Sequence, residues 1–523
     1  MELFCGVSIP DGGRLRSTEA SVVALLVVLC GLGLGGCTTD TESPSRPNIL
    51  FIMADDHTTQ AFRSYGSRLS GLAPTEHINR LAQQGARLTN AFVTNSICVP
   101  SRASILTGQY SHKNGAYTLR DSLAPAHPNV AKELQKGGYQ TAVIGKWHLK
   151  AEPSGFDYWN VLPGQGRYVD PRLREKGSDT LTTHGGFSAD VIADLSLDWL
   201  KQQRDEEKPF VLMTHFKASH GPFQAPKRND SLFADTTLPE PPSLWEDKSH
   251  RSPGSREYGF TIETMARRFV RWGYWAPPRP LDKMSGREVR RHGYQAFVKQ
   301  YLRSVAAIDQ NVGRLLDYLK KAGLKENTVV IYTSDQGYFL GEHNYIDKRW
   351  MYEESMQMPF LIRYPGEIEP GTVVDDLVLN VDFAPLMLDY AGLKTPDYMQ
   401  GRSFRPNLRG ETPADWRDAV YYRYWMHGNG ARRPAHYGIR TKRFKLIFFY
   451  GLPLDQTSNP PTKPGWELYD LVKDPREMDN VYRDPAYADT GARLKDKLLQ
   501  LKDRLGDPDE AYPALMERRR SHW

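Results

Sequence analysis

Four short apolar runs set the limits on how this chain can fold. Asn48 to Met53 runs into Asp55 and Asp56, and Thr141 to Ile144 runs into Lys146 and His148. Phe210 to Met213 stands ahead of His220, and Val329 to Tyr332 leads to Asp335. Continuous runs rich in Val and Ile suit strands buried on both faces of a sheet, because a strand with one wet face alternates apolar with polar. Such a sheet needs helices on both sides, and helical patterns lie between the runs. Thr75 stands where a helix needs its cap, ahead of Ile78, Leu81 and Ala82, with Gly85 to end the helix. Val298, Tyr301, Leu302, Val305, Ile308, Val312, Leu315, Leu316 and Leu319 keep a helical period up to Gly323. Strand and helix alternate, so the expected class is α/β, with a large mixed central sheet between helices. The polar residues that end the runs fall where open α/β sheets hold their ligands.

The pattern changes after about Tyr398. Ala419 to Trp425, Tyr437 to Arg440, Lys445 to Tyr450 and Trp466 to Leu471 are runs with turn-forming residues between several of them, which predicts a smaller antiparallel sheet. A last helix carrying Leu494, Leu498, Leu499, Leu501 and Leu505 before Gly506 is expected to pack on it. The division expected is therefore 47–397 for the large α/β domain and 398–523 for the C-terminal subdomain. Residues 231–283, rich in Pro, Trp, Arg and Ser without clear period, predict only a long insertion near the site or at its rim.

Arg14 and Arg16, the apolar stretch Val22 to Leu34 and then Gly35, Gly36 and Cys37 are built as an export signal spanning 1–36. The ending Leu34-Gly35-Gly36-Cys37 resembles a bacterial lipobox, which predicts a lipid anchor on Cys37 and a tether over 37–46, facing the periplasm or cell surface. The plainer alternative is a signal peptide cut nearby. Of four cysteines, Cys5, Cys30 and Cys37 lie in or at the end of the signal, which leaves Cys98 alone in the exported domain. With no internal disulfide to form, the exported domain depends on its core, and a solitary thiol in an oxidising compartment needs a reason. The formal charge of +6 on 523 residues is too mild to mark a nucleic-acid partner, and none is expected.

The segment Cys98-Val99-Pro100-Ser101-Arg102-Ala103-Ser104-Ile105-Leu106-Thr107-Gly108 resembles the signature of the type I sulfatases, members of the alkaline phosphatase superfamily. Its opening C-x-P-S-R is the pentad that the formylglycine-generating enzyme recognises in that family. Pro100 fits a first helical turn, which leaves residue 98 at a helix N-terminus where free N–H groups favour anionic oxygen. Six other segments are similar to the family's motifs. Asp55 and Asp56 match its paired metal-binding aspartates, Gly145-Lys146-Trp147-His148 its G-K-W-H, and Asp335-Gln336-Gly337 its distal metal segment, with Lys348 in a segment like its D-K. Ser219-His220-Gly221-Pro222-Phe223 resembles its H-x-P motif, and Trp466-Glu467-Leu468-Tyr469-Asp470 its C-terminal signature.

The residue types carry the same chemistry by themselves. Asp55, Asp56, Asp335 and the amide oxygen of Gln336 make an all-oxygen set suited to Ca²⁺, with Mg²⁺ as second choice. Relatives more often carry Asn where Gln336 stands. The resemblance implies that Cys98 is converted to formylglycine (3-oxoalanine) and hydrated to a geminal diol, one oxygen of which joins the metal and attacks sulfur. Arg102 and Lys146 would then hold the diol and sulfate oxygens, His220 and Lys348 would bind sulfate and help protonate the leaving alkoxide, and His148 would take the remaining hydroxyl proton. The substrate class implied is a sulfated oligo- or polysaccharide. His343, Arg432 and His436 are candidate substrate contacts, the latter two in an aromatic and basic stretch suited to sulfated or uronate-bearing sugars. Two rivals remain: a phosphonate or phosphate diester hydrolase of the same superfamily, and a surface glycan-binding lipoprotein without catalysis.

Overall fold

The computed structural model describes residues 46–428, 433–454 and 459–523, and Arg46–Trp523 form one compact unit. The expected signal and Cys37 lie outside the described residues, as does the tether up to Ser45.

A ten-stranded mixed sheet is the centre of the molecule. In chain order its strands are β1 (Asn48–Ala54), β2 (Ala86–Leu88), β3 (Gln140–Lys146), β4 (Tyr158–Leu162), β5 (Arg172–Glu175), β6 (Leu181–Thr183), β7 (Phe210–His215), β8 (Thr328–Ser334), β9 (Phe360–Arg363) and β10 (Thr372–Val374). They lie side by side as β10-β2-β9-β8-β1-β7-β3-β4-β5-β6. The five from β8 to β4 run parallel, so their carboxyl ends share one edge. All four apolar runs are strands of this parallel block. The reason for their unbroken hydrophobicity is visible in β1: Ile49, Phe51 and Met53 enter one core, and Leu50, Ile52 and Ala54 enter the core on the opposite face.

Helices α1 (Glu76–Gln83), α4 (Ser188–Asp198) and α6 (Gly286–Lys321) cover the second of these faces through Leu81, Ile192, Val312, Leu315 and Leu319. Fully buried, Leu315 and Leu319 each contribute on the order of 1.5–3 kcal/mol relative to exposure. The α1 start differs from expectation. Thr75 flanks it but its hydroxyl accepts from Arg63 N (3.1 Å), and the free helical N–H groups of His77 and Ile78 donate to Asp309 of α6 (3.1 and 2.8 Å). A carboxylate on a packed neighbour takes the donors that a cap would. Helices α2 (Cys98–Thr107), α3 (Val130–Lys136) and α7 (Phe383–Tyr390) cover the first face.

The C-terminal sheet is antiparallel in the order β11 (Ala419–Tyr424), β12 (His436–Thr441), β13 (Phe444–Phe449), β14 (Gly465–Asp470). Helix α8 (Ala488–Leu505) packs on it through Leu494, Leu498 and Leu501, and α9 (Pro513–His522) follows. Val420, Ile439, Leu446 and Leu468 belong to the same hydrophobic cluster as Phe51 and Ala103, so the segment after 398 shares the large sheet's core. Glu467 of β14 ties this sheet to the insertion: it accepts from Ser252 N (3.0 Å), from the Ser255 hydroxyl and from the Tyr352 and Tyr469 hydroxyls (2.7 and 2.9 Å).

The insertion has structure that its composition obscured. Helix α5 (Ile262–Arg271) opens with a Thr261/Thr264 capping box and buries Ile262, Met265, Ala266 and Phe269 against Tyr294, Phe297 and Val298 of α6.

Candidate active site

The carboxyl edge of the parallel block gathers the expected motifs. Asp55 and Asp56 follow β1, Lys146 ends β3 with His148 two residues on, Lys217 and His220 follow β7, and Asp335 and Gln336 follow β8. Two glycines of the motifs are required by this crowding. Gly145 has φ +107°, and a Cβ there would lie 2.1 Å from the carbonyl oxygen of His215 on the neighbouring strand. A Cβ on Gly337 would lie 2.2 Å from the carbonyl oxygen of Glu354.

Cys98 is the first residue of α2, every residue of which is buried. Its Sγ is 3.6 Å from Asp55 Oδ1, and Asp55, Cys98 and Asp335 present ligand atoms within 4.8 Å of one another. Asp335 is fixed from three sides: Asp56 N donates to Oδ1 (3.1 Å), Arg102 Nε to Oδ2 (2.9 Å), and the Ser101 hydroxyl to its carbonyl. Arg102 also donates to the Lys146 carbonyl (2.6 Å) and has its NH2 3.9 Å from Asp55 Oδ1. Lys146 Nζ donates to Asp55 Oδ2 and to Gln165 Oε1 (2.5 Å), while Lys348 Nζ spans both oxygens of Asp56 (2.5 and 2.7 Å). His220 Nε2 stands 3.9 Å from Asp56 Oδ2 and its Nδ1 2.8 Å from the Gly221 carbonyl. Gln336 Nε2 donates to Asp56 Oδ1 and to Asp335 Oδ1 (2.6 Å), which leaves Oε1 buried without a partner.

Burial and like charge set the protonation states. Burial pushes the Cys98 thiol up to about 12 and the Asp56 carboxyl up to about 6, the latter against the pull of Lys348. Burial works the same way on Asp335, yet the Arg102, Lys146 and Lys348 cations hold it below the ordinary carboxylate value. Burial, with Lys146 and Arg102 nearby, drops His148 to about 2, and burial with the three lysines holds His220 well below the usual imidazole value. Both rings are therefore neutral at neutral pH. Lys146 is lowered by burial and by Lys217, whereas Asp56 keeps Lys348 charged despite its burial.

Over this cluster opens a cavity of about 310 Å³ that reaches Cys98, Asp56, His220 and Lys348. Several of its residues were not anticipated. Gln165 lies in the loop after β4. Asp347 and Arg349 flank Lys348 and pair with each other (3.1 Å). Phe260, Met265, Arg268 and Trp272 bring the insertion into the wall. Lys217, buried after β7, has its ammonium 4.6 Å over the Tyr168 ring, and burial lowers it to about 8. For the insertion the signal was present: Ile262, Met265, Ala266 and Phe269 have helical spacing behind a threonine cap. Lys217 carried none, since a lysine after a strand reads as surface charge.

The candidate substrate contacts are corrected. His343 is fully buried, Nδ1 2.6 Å from Glu246, within a network that also holds Arg251 and His250. His436, also fully buried, stacks between Trp350 and Tyr422 with Nδ1 2.8 Å from the Pro434 carbonyl. Neither lines the cavity, because their rings fill the core instead. Arg432 lies outside the described residues.

Comparison with known proteins agrees with this geometry. A family model described as "Sulfatase" matches residues 47–393, and one described as "N-sulphoglucosamine sulphohydrolase, C-terminal" matches residues 341–504. The chain is 39% identical to an N-acetylglucosamine-6-O-sulfatase of Bacteroides thetaiotaomicron, with 98% of this chain and 97% of that protein covered. It is 29% identical to the N-acetylglucosamine-6-sulfatase of Homo sapiens over 81% of this chain and 76% of that one. Among solved structures, a protein in complex with its substrate D-glucosamine-2-N,6-O-disulfate superposes with TM-score 0.81 at 38% identity, covering 90% of this chain and all of the other.

Proposed function

Because the chain belongs to the sulfatase family and is a sulfuric ester hydrolase acting on sulfated carbohydrate, we propose that it removes the 6-O-sulfate of a glucosamine-type sugar, using a formylglycine at position 98 and a bound Ca²⁺. The observation that carries the proposal is the burial of Cys98 at the start of α2 against Asp55 and Asp335, under a cavity lined by His220 and Lys348. A thiol raised to about 12 is a poor nucleophile in its own right, which supports conversion by a formylglycine-generating enzyme. The sugar and its 6-position come from what the relatives act on.

The residues fit a hard cation. Asp55 and Asp335 bring ligand atoms within 4.8 Å of the side chain at position 98, Asp56 Oδ1 and Asp335 Oδ1 both lie against the Gln336 amide, and the orphaned amide oxygen of Gln336 is a further oxygen donor once the amide turns over. When present, the hydrated aldehyde supplies an oxygen nucleophile for sulfur, and the cation supplies positive charge beside it. The protein's own groups do the rest. Lys146 and Arg102, anchored by Asp55 and Asp335, hold oxygens at position 98. Lys348, kept charged by Asp56, faces the cavity where sulfate enters. His220, whose Nδ1–H donates to the Gly221 carbonyl, presents Nε2 toward Asp56 and the cavity, where it passes on a proton to the ester oxygen only after taking one up, and neutral His148 stands near position 98. Each preorganised donor contributes about 3 kcal/mol in the transition state.

The intact pentad and buried carboxylates favour this reading over a glycan binder without catalysis. Export and lipid anchoring at Cys37 are part of the same proposal, and fatty-acid labelling of the expressed precursor tests them. The enzymatic test is sulfate release from glucosamine derivatives sulfated singly at the 2-N, 3-O or 6-O position. Release from the 6-O-sulfated sugar is expected, and exclusive release from another position would replace the assignment.

A further inference from the structure

A second cavity, of about 510 Å³, lies where the insertion meets the C-terminal sheet and shares no lining residue with the catalytic one. Its floor holds Arg251 and His250, both bonded to Glu246 beneath (2.7 and 2.8 Å). Around them stand Arg256, Lys463 and Arg483, all exposed, and none of the three forms an ion pair among the described residues. Among the described residues no carboxylate lines the cavity. Elsewhere this protein pairs its cations freely: Arg405 with Glu367, Arg440 with Glu353, Arg417 with Asp382. Three unpaired cations converging on one concave surface repel one another, and an anionic occupant removes that cost. Part-exposed Tyr482, backed by the buried Trp466 that stacks between it and Phe448 and with the Lys495 ammonium over both rings, adds an aromatic edge to the wall.

We propose that this cavity is a second binding site for a sulfated polysaccharide, engaging sugars of the chain remote from the ester being cleaved. The ligand class rests on the reading of the enzyme as a carbohydrate sulfatase, because a sulfated glycan is the polyanion that such an enzyme meets. Spaced cations beside aromatic rings match a chain of spaced sulfates on sugar rings. A compact phosphate would need one cation cluster and no ring contact. Engagement away from the catalytic cavity holds the enzyme on its polymer between turnovers, raising the local concentration of cleavable ends.

The test uses the full-length Cys98→Ala protein, which binds without turning over, and a fluorescein-labelled heparin decasaccharide read by polarisation. Binding is expected to persist when the catalytic cavity is filled with saturating 6-O-sulfated glucosamine. Adding Arg256→Glu, Lys463→Glu and Arg483→Glu should weaken it about tenfold or more, since several exposed ion pairs are lost together. In the Cys98-containing enzyme the same three changes should leave turnover of the monosaccharide unchanged, which also shows that the fold survives. Equal decasaccharide affinity with and without the triple change would overturn the proposal, as would complete displacement by the monosaccharide. Equal affinity of a length-matched polyphosphate would overturn the saccharide assignment. If 6-O-sulfated monosaccharides are not hydrolysed at all, the proposed reaction fails while the decasaccharide result stands.

Discussion

Replacing Cys98 by Ala separates the role of this residue in chemistry from its role in packing. The side chain is 1% exposed, and its one polar approach is the 3.6 Å contact with Asp55 Oδ1, a long and weak hydrogen bond. Removing one buried sulfur is therefore expected to cost about 1 kcal/mol, at the low end for truncations in a core. In a chain of this size that shifts Tm by less than about 2 °C. Loss of a covalent nucleophile acts on another scale, on the order of a millionfold in rate or about 8 kcal/mol of barrier. Activity should thus vanish from a protein that melts almost as before. The assay is sulfate release from a 6-O-sulfated glucosamine alongside calorimetry. Peptide mass spectrometry of the unsubstituted enzyme should find residue 98 lighter than cysteine and reactive toward aldehyde reagents. A well-folded Ala variant keeping more than about a hundredth of the activity would refute the reasoning, because residual binding groups alone do not give that much. So would fully active enzyme whose residue 98 is an alkylatable thiol.

Exhaustive chelation should abolish turnover and Ca²⁺ should restore it, checked by elemental analysis; full activity in metal-free protein would remove the cation from the reaction. Lys217, lowered to about 8 by burial, loses its positive charge as pH rises through that value, so kcat/KM should fall above about pH 8. Lys217→Arg should carry that limb to higher pH, and an unchanged profile would exclude Lys217 as its source. Arg268 lines the catalytic cavity without a carboxylate partner among the described residues. Arg268→Ala should lower kcat/KM about tenfold on the 2-N,6-O-disulfated sugar and little on the N-acetyl 6-sulfate, as measured by initial rates; equal losses would place it outside substrate discrimination. His436→Ala, at a fully buried stacked ring, should destabilise by about 3 kcal/mol, seen as a lower denaturant midpoint, with substrate preference unchanged.

What the sequence revealed and what it hid divide along physical lines. The parallel strands were legible because both their faces are buried, which forces continuous apolar runs such as Asn48 to Met53. Their carboxyl ends were legible as a site because Asp55, Lys146 and Asp335 follow such runs directly. The partners of these residues were not. Lys146 meets Asp55 across 91 positions of chain, and Lys348 meets Asp56 across 292, distances that only the sheet order closes. The histidines at 343 and 436 misled for a related reason. An imidazole beside cations in sequence suggests an anion-binding surface, but His343 is held by Glu246, 97 residues away, and His436 by rings from two other segments. The insertion shows the same effect in reverse: its Pro- and Arg-rich composition reads as loop, yet α5 is fixed by burying Ile262, Met265 and Phe269 on α6. That packing is what turns Arg268 and Trp272 toward the cavity. The cluster around position 98 is thus built from strand ends of the sheet and the start of α2, while Phe260, Met265, Arg268 and Trp272 of the insertion add part of the cavity wall. Substitutions in 231–283 should accordingly change which sugars enter before they change whether sulfate is released.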